Sequence, residues 1–228
     1  MEKVNKVTHV IWSLQQGGAE KILLDIVDQT PLDIVLVISS KIDFESSRKN
    51  IFFLKGNYLK KLSQILKISK NSGVVFWMYK SICYSFPILF LRKSCGSIHH
   101  DLEYLSREKI STKISIVLTL LLHRLARFHI VYVSEASRNN HIKYGFSKLN
   151  CSVIPNGSAV VQEKIYLEAK KQLLYISRWD KIKNFNLAID ICKKLLDDKI
   201  IDKVVFVGKN VDNSNNELLS LLERYKLK

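Results

Sequence analysis

The sequence predicts an α/β chain of the doubly wound type, built on parallel strands with helical connections. Three stretches predict it. Residues 7–14 (VTHVIWSL) read as a strand, QQGGAE as a glycine turn, and the following residues as a helix with Ile22, Leu23, Ile26 and Val27 on one face. Residues 129–158 (HIVYVSEASRNNHIKYGFSKLNCSVIPNGS) read as strand, helix and strand, closed by a sharp turn at Pro155-Asn156-Gly157. Residues 172–198 (QLLYISRWDKIKNFNLAIDICKKLLDD) repeat the order strand, charged turn, helix, with Leu187, Ile191 and Leu195 at helical spacing.

The elements between these stretches fit the same alternation. Strands are expected at 33–40, 51–54, 74–79, 95–99, 129–133 and 151–154, and helices at 57–70 and 80–92, the latter bent near Pro87. One long helix is expected over 102–127. Ser134 is placed to cap the next helix and Gly145 to stop it. A segment of low periodicity at 158–171 marks the domain boundary, giving domains 1–157 and 158–228. The second holds a strand at 173–177, a helix at 184–198, a strand at 203–208 and a helix at 214–226.

Composition bounds the function. The 228 residues are 47% hydrophobic and 25% charged, which is globular rather than disordered. The net charge of +15 admits nucleic acid, an anionic membrane or phosphorylated substrates as partners. The basic residues are scattered and no nucleic-acid-binding signature occurs, so nucleic acid is set aside. Cys83, Cys95, Cys151 and Cys192 lack metal or redox spacing and read as free thiols in a reducing, cytoplasmic setting. Residues 82–91 and 114–122 are apolar but only about half a bilayer span long, so they read as core or interfacial helix.

Three groups of residues are candidates for chemistry. Gly17 and Gly18 either let a ligand or backbone approach closely or serve a tight turn that needs positive φ. His99 and His100 follow a short strand, where open α/β sheets place ligands; the alternative is a surface pair beside Asp101. His9, His123, His129 and His141 read as structural. Arg178, Lys183 and Asn184 lie where a strand ends and a helix begins, a setting that suits a diphosphate; alone, the turn reads first as a solvated basic loop.

In order and spacing, four motifs make the chain resemble the family 4 glycosyltransferases of the GT-B fold. GGAEKILLDIV resembles the family's N-terminal glycine loop and helix, and SIHHD its histidine after a strand. YVSEASRNNHIKYGF…SVIPNG resembles its approach to the second domain, and YISRWDKIKNFNLAI its "R…KN" diphosphate loop. The resemblance implies one complete Rossmann-like domain followed by a partial second one. It implies a retaining transfer of a sugar from a nucleotide-diphosphate donor to a glycan or lipid-linked acceptor in surface polysaccharide or lipopolysaccharide synthesis, with peripheral contact at the inner face of the membrane. Arg178 and Lys183 would neutralise the leaving diphosphate, in place of a metal, and no other cofactor is implied. His99, with His100 as the alternative, would contact the donor sugar; Gly17 and Gly18 would admit phosphate or acceptor; Asn184 would cap its helix rather than touch substrate.

The chain departs from the family in one respect. Members continue into an acidic E-x7-E-type motif that grips the donor, whereas Glu217 and Glu223 fall on the last helix before its place. The expectation is therefore an incomplete second domain: a truncated frame, one half of a split enzyme, or a non-catalytic interaction subunit.

Overall fold

A computed structural model of the protein describes residues 6–15, 17–39, 50–157, 171–180 and 183–227. The chain divides into two compact units, Met1–Ala159 and Val160–Lys228. The boundary expected at 157/158 sits at the edge of residues 158–170, which lie outside the described residues.

The first unit runs β1 (Val7–Ile11), α1 (Gly18–Gln29), β2 (Ile34–Val37), β3 (Ile51–Phe53), α2 (Tyr58–Ile68), β4 (Gly73–Trp77), α3 (Met78–Tyr84), α4 (Phe86–Leu91), β5 (Ser94–Ile98), α5 (Ile110–Ala126), β6 (His129–Tyr132), α6 (Glu135–Lys143) and β7 (Cys151–Val153). Its seven strands form one sheet in the order β3-β2-β1-β4-β5-β6-β7. Every neighbouring pair is parallel. Parallel strands need apolar cover on both faces, and the runs VTHVI, IVLV and GVVFW supply side chains to both. Alternate residues divide accordingly. Val10, Leu36, Val74 and Phe76 face a core shared with α2, α3, α4 and α5. Ile11, Val35, Val37 and Trp77 face a smaller core under α1.

The second unit runs β8 (Gln172–Ile176), α7 (Phe185–Asp197), β9 (Lys203–Val207) and α8 (Asn216–Arg224). β8 and β9 pair in parallel, from Gln172↔Lys203 to Ile176↔Val207. Phe185, Ile189 and Leu218 are its buried core, with Tyr175, Trp179 and Phe206 packed against them.

Two expected elements differ. The helix expected over 102–127 begins at Ile110. Leu102 is fully buried, Leu105–Arg107 forms a single 3-10 turn, and Glu108 pairs with His100, so this stretch is fastened as a loop. The helix expected over 80–92 is two helices meeting at Ser85, with Pro87 in the first turn of α4, where a missing N–H costs nothing. Ser134 caps α6 by accepting from the Ser137 amide, and Gly145 follows with a left-handed φ of 99°.

Candidate functional site

An open parallel sheet binds ligands outside the carboxyl ends of its strands, where neighbouring strands send their connections to opposite faces. Here that point lies between β1 and β4, paired up to Ile11↔Trp77. β1 leads to α1 on the Trp77 face, and β4 leads to α3, whose Tyr79 and Ile82 join the opposite core.

Gly17 is the N-cap of α1 with extended backbone (φ −155°, ψ 162°). The glycines with positive φ among the described residues are Gly56, Gly145 and Gly208, so Gly17 and Gly18 do not serve a turn of that kind. A Cβ on Gly18 would meet no atom within 4 Å, so crowding does not demand glycine there either. The missing side chain leaves the first-turn amides of α1 approachable. A Cβ on Gly17 would meet the Glu20 carboxylate, an acidic group in that same turn.

The two adjacent histidines after β5 point to different surroundings. His99 stacks on Trp77, with ring centroids 4.8 Å apart and planes 22° apart. Its Nε2 lies 3.0 Å from Ser97 Oγ, and its Nδ1 has no hydrogen-bond partner. Burial pushes its pKa down to about 4, so the ring is neutral at pH 7. Beneath it, the Trp77 indole N–H donates to His9 Nδ1 (3.1 Å). An indole only donates, so neutral His9 carries its proton on Nε2, facing Asp33 Oδ2 at 3.4 Å. Asp33 Oδ1 in turn accepts from the Val7 amide (2.8 Å). A buried polar line thus runs from the start of β2, through β1, to the ring under His99.

His100 is instead bound into the protein. Its Nδ1 meets Tyr79 Oη at 3.2 Å, its Nε2 meets Glu108 at 3.2 Å, and its carbonyl accepts from Ser137 Oγ (2.7 Å). Tyr79 Oη also pairs with His141 Nε2, while His141 Nδ1 donates to the Ser137 carbonyl (2.7 Å). Asn140 Nδ2 donates to Asp101 (2.8 Å) and ties the segment to α6. Of the two histidines, His99 is the one with an unused ring nitrogen. Met78, at the head of α3, holds a left-handed φ of 64° and its sulfur accepts from the His99 amide (3.3 Å). Such a conformation costs about 1–3 kcal/mol in a residue with a side chain.

Sequence reasoning missed Trp77, Met78 and the reach of His9. An aromatic and a methionine closing an apolar strand read as core; the usable signal was a histidine inside the β1 run VTHVI.

In the second unit, the loop after β8 continues the pairing with the chain after β9: the Ser177 amide donates to the Val207 carbonyl and the Trp179 amide to Lys209, both at 2.9 Å. Gly208 makes this approach feasible, since a Cβ there would lie 2.0 Å from the Ser177 carbonyl oxygen. Arg178 directs Nη2 (3.1 Å) and Nε (3.2 Å) at one oxygen of Asp180, with half of its side chain exposed. The expected cation is therefore paired, but an exposed pair of this kind is worth little and exchanges readily. Lys183 is exposed and makes no ion pair among the described residues; its carbonyl accepts from Tyr175 Oη (2.6 Å). Asn184 is the N-cap of α7, left-handed at φ 47°, and its side chain accepts from the Leu187 amide (3.3 Å). No acidic residue lies in the first turn of α7. A pocket of about 360 Å³ adjoins it, lined by Trp179, Asn184, Phe185, Glu217 and Leu221. Glu217 accepts from the Trp179 indole (3.2 Å) and ties α8 to the loop. Gly17, Gly18 and His99 thus belong to one unit, and Arg178, Lys183 and Asn184 to the other.

No family model and no curated protein matches the sequence. Solved structures do match. HepE of Anabaena, in complex with UDP, superposes with a TM-score of 0.76 at 16% identity, over 97% of this chain and 66% of that one. The fold is GT-B. A glycosyltransferase from Rickettsia africae gives a TM-score of 0.66 at 14% identity, over 97% of this chain and 66% of that one. S. aureus TarM, in complex with UDP and α-GlcNAc-glycerol among others, gives 0.54 at 19% identity, over 77% and 36%. The chain spans 66% of the HepE chain's length.

Proposed function

We propose that the chain belongs to a retaining glycosyltransferase that moves a sugar from a nucleotide-diphosphate donor to a glycan or lipid-linked acceptor. The observation that carries this is Arg178 and Lys183 on a GT-B fold: two cations leading into a helix whose first turn holds no acidic residue, beside a pocket that Asp180 and Glu217 also line. In transfer, the bond between the sugar's anomeric carbon and the diphosphate oxygen breaks, and the diphosphate leaves with the electron pair. The acceptor hydroxyl oxygen forms the new bond, and its proton passes to the departing diphosphate oxygen. Arg178 exchanges Asp180 for diphosphate oxygens, which match its planar fork, and Lys183 adds a point charge. These charges stabilise the leaving group as it develops, the part a divalent cation plays in other enzymes. Neutral His99 keeps its unpartnered Nδ1 buried, so it contacts a hydroxyl of the donor sugar only once the ring turns that nitrogen outward. Gly18 leaves the α1 amides open to phosphate or acceptor. The UDP held by HepE and TarM makes uridine the first nucleotide to try.

The test is calorimetric titration of the 228-residue chain with UDP, GDP and ADP. One of them binds, and Arg178→Ala and Lys183→Ala each weaken it about tenfold or more, the weight of a charge-assisted contact. Absence of binding, or affinities unchanged in both variants, overturns the assignment.

A second reading, an interaction subunit of a split enzyme, is favoured by the outer face of the β8–β9 pair, where Leu174, Ile176 and Val207 are exposed. Analytical ultracentrifugation showing a stable, well-folded monomer that binds nucleotide alone disposes of it.

A further inference from the structure

Three aromatic side chains meet at the carboxyl end of the seven-stranded sheet. Trp12 directly follows β1, Tyr58 opens α2 and Tyr84 ends α3. Tyr84 stands edge-on to both others, with ring centroids 5.7 Å from Trp12 and 5.0 Å from Tyr58. Two lysines join them. Lys80 sits one turn before Tyr84 on α3, and its Nζ lies 5.9 Å from the Trp12 ring centroid. Lys61 sits one turn after Tyr58 on α2, and its Nζ donates to the Ile38 carbonyl. The same peptide unit donates its Ser39 amide to the Trp12 carbonyl (2.7 Å), which places Lys61 beside Trp12.

Most polar groups of this cluster remain available. Trp12 and Tyr84 rest on the rim of the core, and Tyr58 is 38% exposed. Among the described residues no hydrogen bond engages the Trp12 indole N–H or either hydroxyl, and neither lysine forms an ion pair. Residues 50–100, which supply both helices, contain eight lysines and arginines and no Asp or Glu. The cluster also spans the point where connections diverge: Trp12 leaves β1, and Lys80 lies three residues past the end of β4. Aromatic faces with polar tips accept the C–H face of a sugar ring, while their O–H and N–H groups meet its hydroxyls. Ammonium groups select a carboxylate or phosphate over a neutral substituent.

We propose that Trp12, Tyr58, Tyr84, Lys61 and Lys80 bind an acidic saccharide, one that carries a carboxylate or phosphate group. The sugar ring stacks on the aromatic side chains, and its anionic substituent meets the two ammonium groups. Its role as the acceptor rests on the transferase reading above; the binding itself requires neither donor nor transfer, so it stands or falls apart from the nucleotide titration.

The test is NMR of the indole N–H signals of the full chain during titration with tri-galacturonate, against maltotriose as a neutral trisaccharide. The three tryptophans report three places: Trp12 in the cluster, Trp77 buried at the end of β4, and Trp179 in the second unit. The signal lost in Trp12→Phe assigns Trp12. Tri-galacturonate is expected to shift that signal and leave the Trp179 signal in place, with maltotriose about tenfold or more weaker. Lys80→Gln weakens tri-galacturonate about tenfold, the weight of a charge-assisted contact, and Tyr58→Ala weakens both saccharides. Both side chains are exposed, so the rest of the spectrum stays that of the parent. No shift at Trp12 with the acid, equal affinity for the two saccharides, or a Lys80→Gln variant that binds like the parent overturns the proposal. A Trp12 signal that UDP moves and the acid does not overturns it in favour of a nucleotide site.

Discussion

The two units hold similar strand–loop–helix turns on unequal foundations. Four of the five β1 residues are buried, whereas no residue of β8 or β9 is. The loop after β1 rests on a core that fixes Ile11 and Trp77 regardless of the loop's own sequence. The cation-bearing loop after β8 is fixed by local devices instead: two backbone bonds to the chain after β9, a glycine that lets strands close up, and a helix cap. One binding turn inherits its shape from packing, and the other must encode it residue by residue.

The largest effect is expected from Phe185→Ala, which removes the largest buried core side chain of the second unit among the described residues. The cost is about 3–5 kcal/mol, as much as a core that small supplies. Hydrogen exchange is expected to show amides of β8, β9 and α7 losing protection while β1 and β4 keep theirs. Loss of both sets together would make the units one cooperative body. Gly208→Ala comes next. The added Cβ would lie 2.0 Å from the Ser177 carbonyl and 2.9 Å from the Arg178 amide, so backbone has to move, at about 1–3 kcal/mol. Nucleotide affinity should fall with stability, and calorimetry at a temperature where the variant is folded separates the two.

In the first unit, Trp77→Phe removes the donor to buried His9 and costs about 1–3 kcal/mol, read from the urea midpoint. Acid should act on this unit alone through histidine, because all six histidines lie within 1–159. Burial lowers the pKa values of His9, His99 and His141, the last two to about 4. Between about 4 and 6.5 the unfolded chain therefore binds more protons than the native one. This stabilising contribution is full above 6.5 and is lost as pH falls toward 4, which urea melts at pH 7.5 and 5 would show. The smallest effect expected is Asn184→Gly. Glycine accepts the left-handed φ of 47° and forfeits only the cap bond, a few tenths of a kcal/mol in a thermal melt.

Much of this architecture was legible in sequence because parallel strands are short apolar runs and their helices carry one apolar face. VTHVI, IVLV and GVVFW announce themselves in that way, and so do Ser134 and Gly145 at the two ends of α6. What was hidden depends on neighbours remote in sequence. Leu102 and Glu108 fasten a loop where periodicity reads helix. His99 and His100 look interchangeable as letters, but successive residues of extended chain face opposite ways, and only one meets Trp77. Gly208 is one glycine among eight until Ser177 is set beside it.

The open surroundings of Gly18 have a practical side. Burial raises the pKa of all four native thiols, Cys95 to about 11, which makes them slow toward alkylating dyes. A Gly18→Cys thiol would sit exposed at a helix N-terminus, where the thiolate is favoured, with room for a fluorophore. The protein is thus arranged for single-site labelling without removing a native cysteine, and quenching of that dye would report what arrives at the mouth of the seven-stranded sheet.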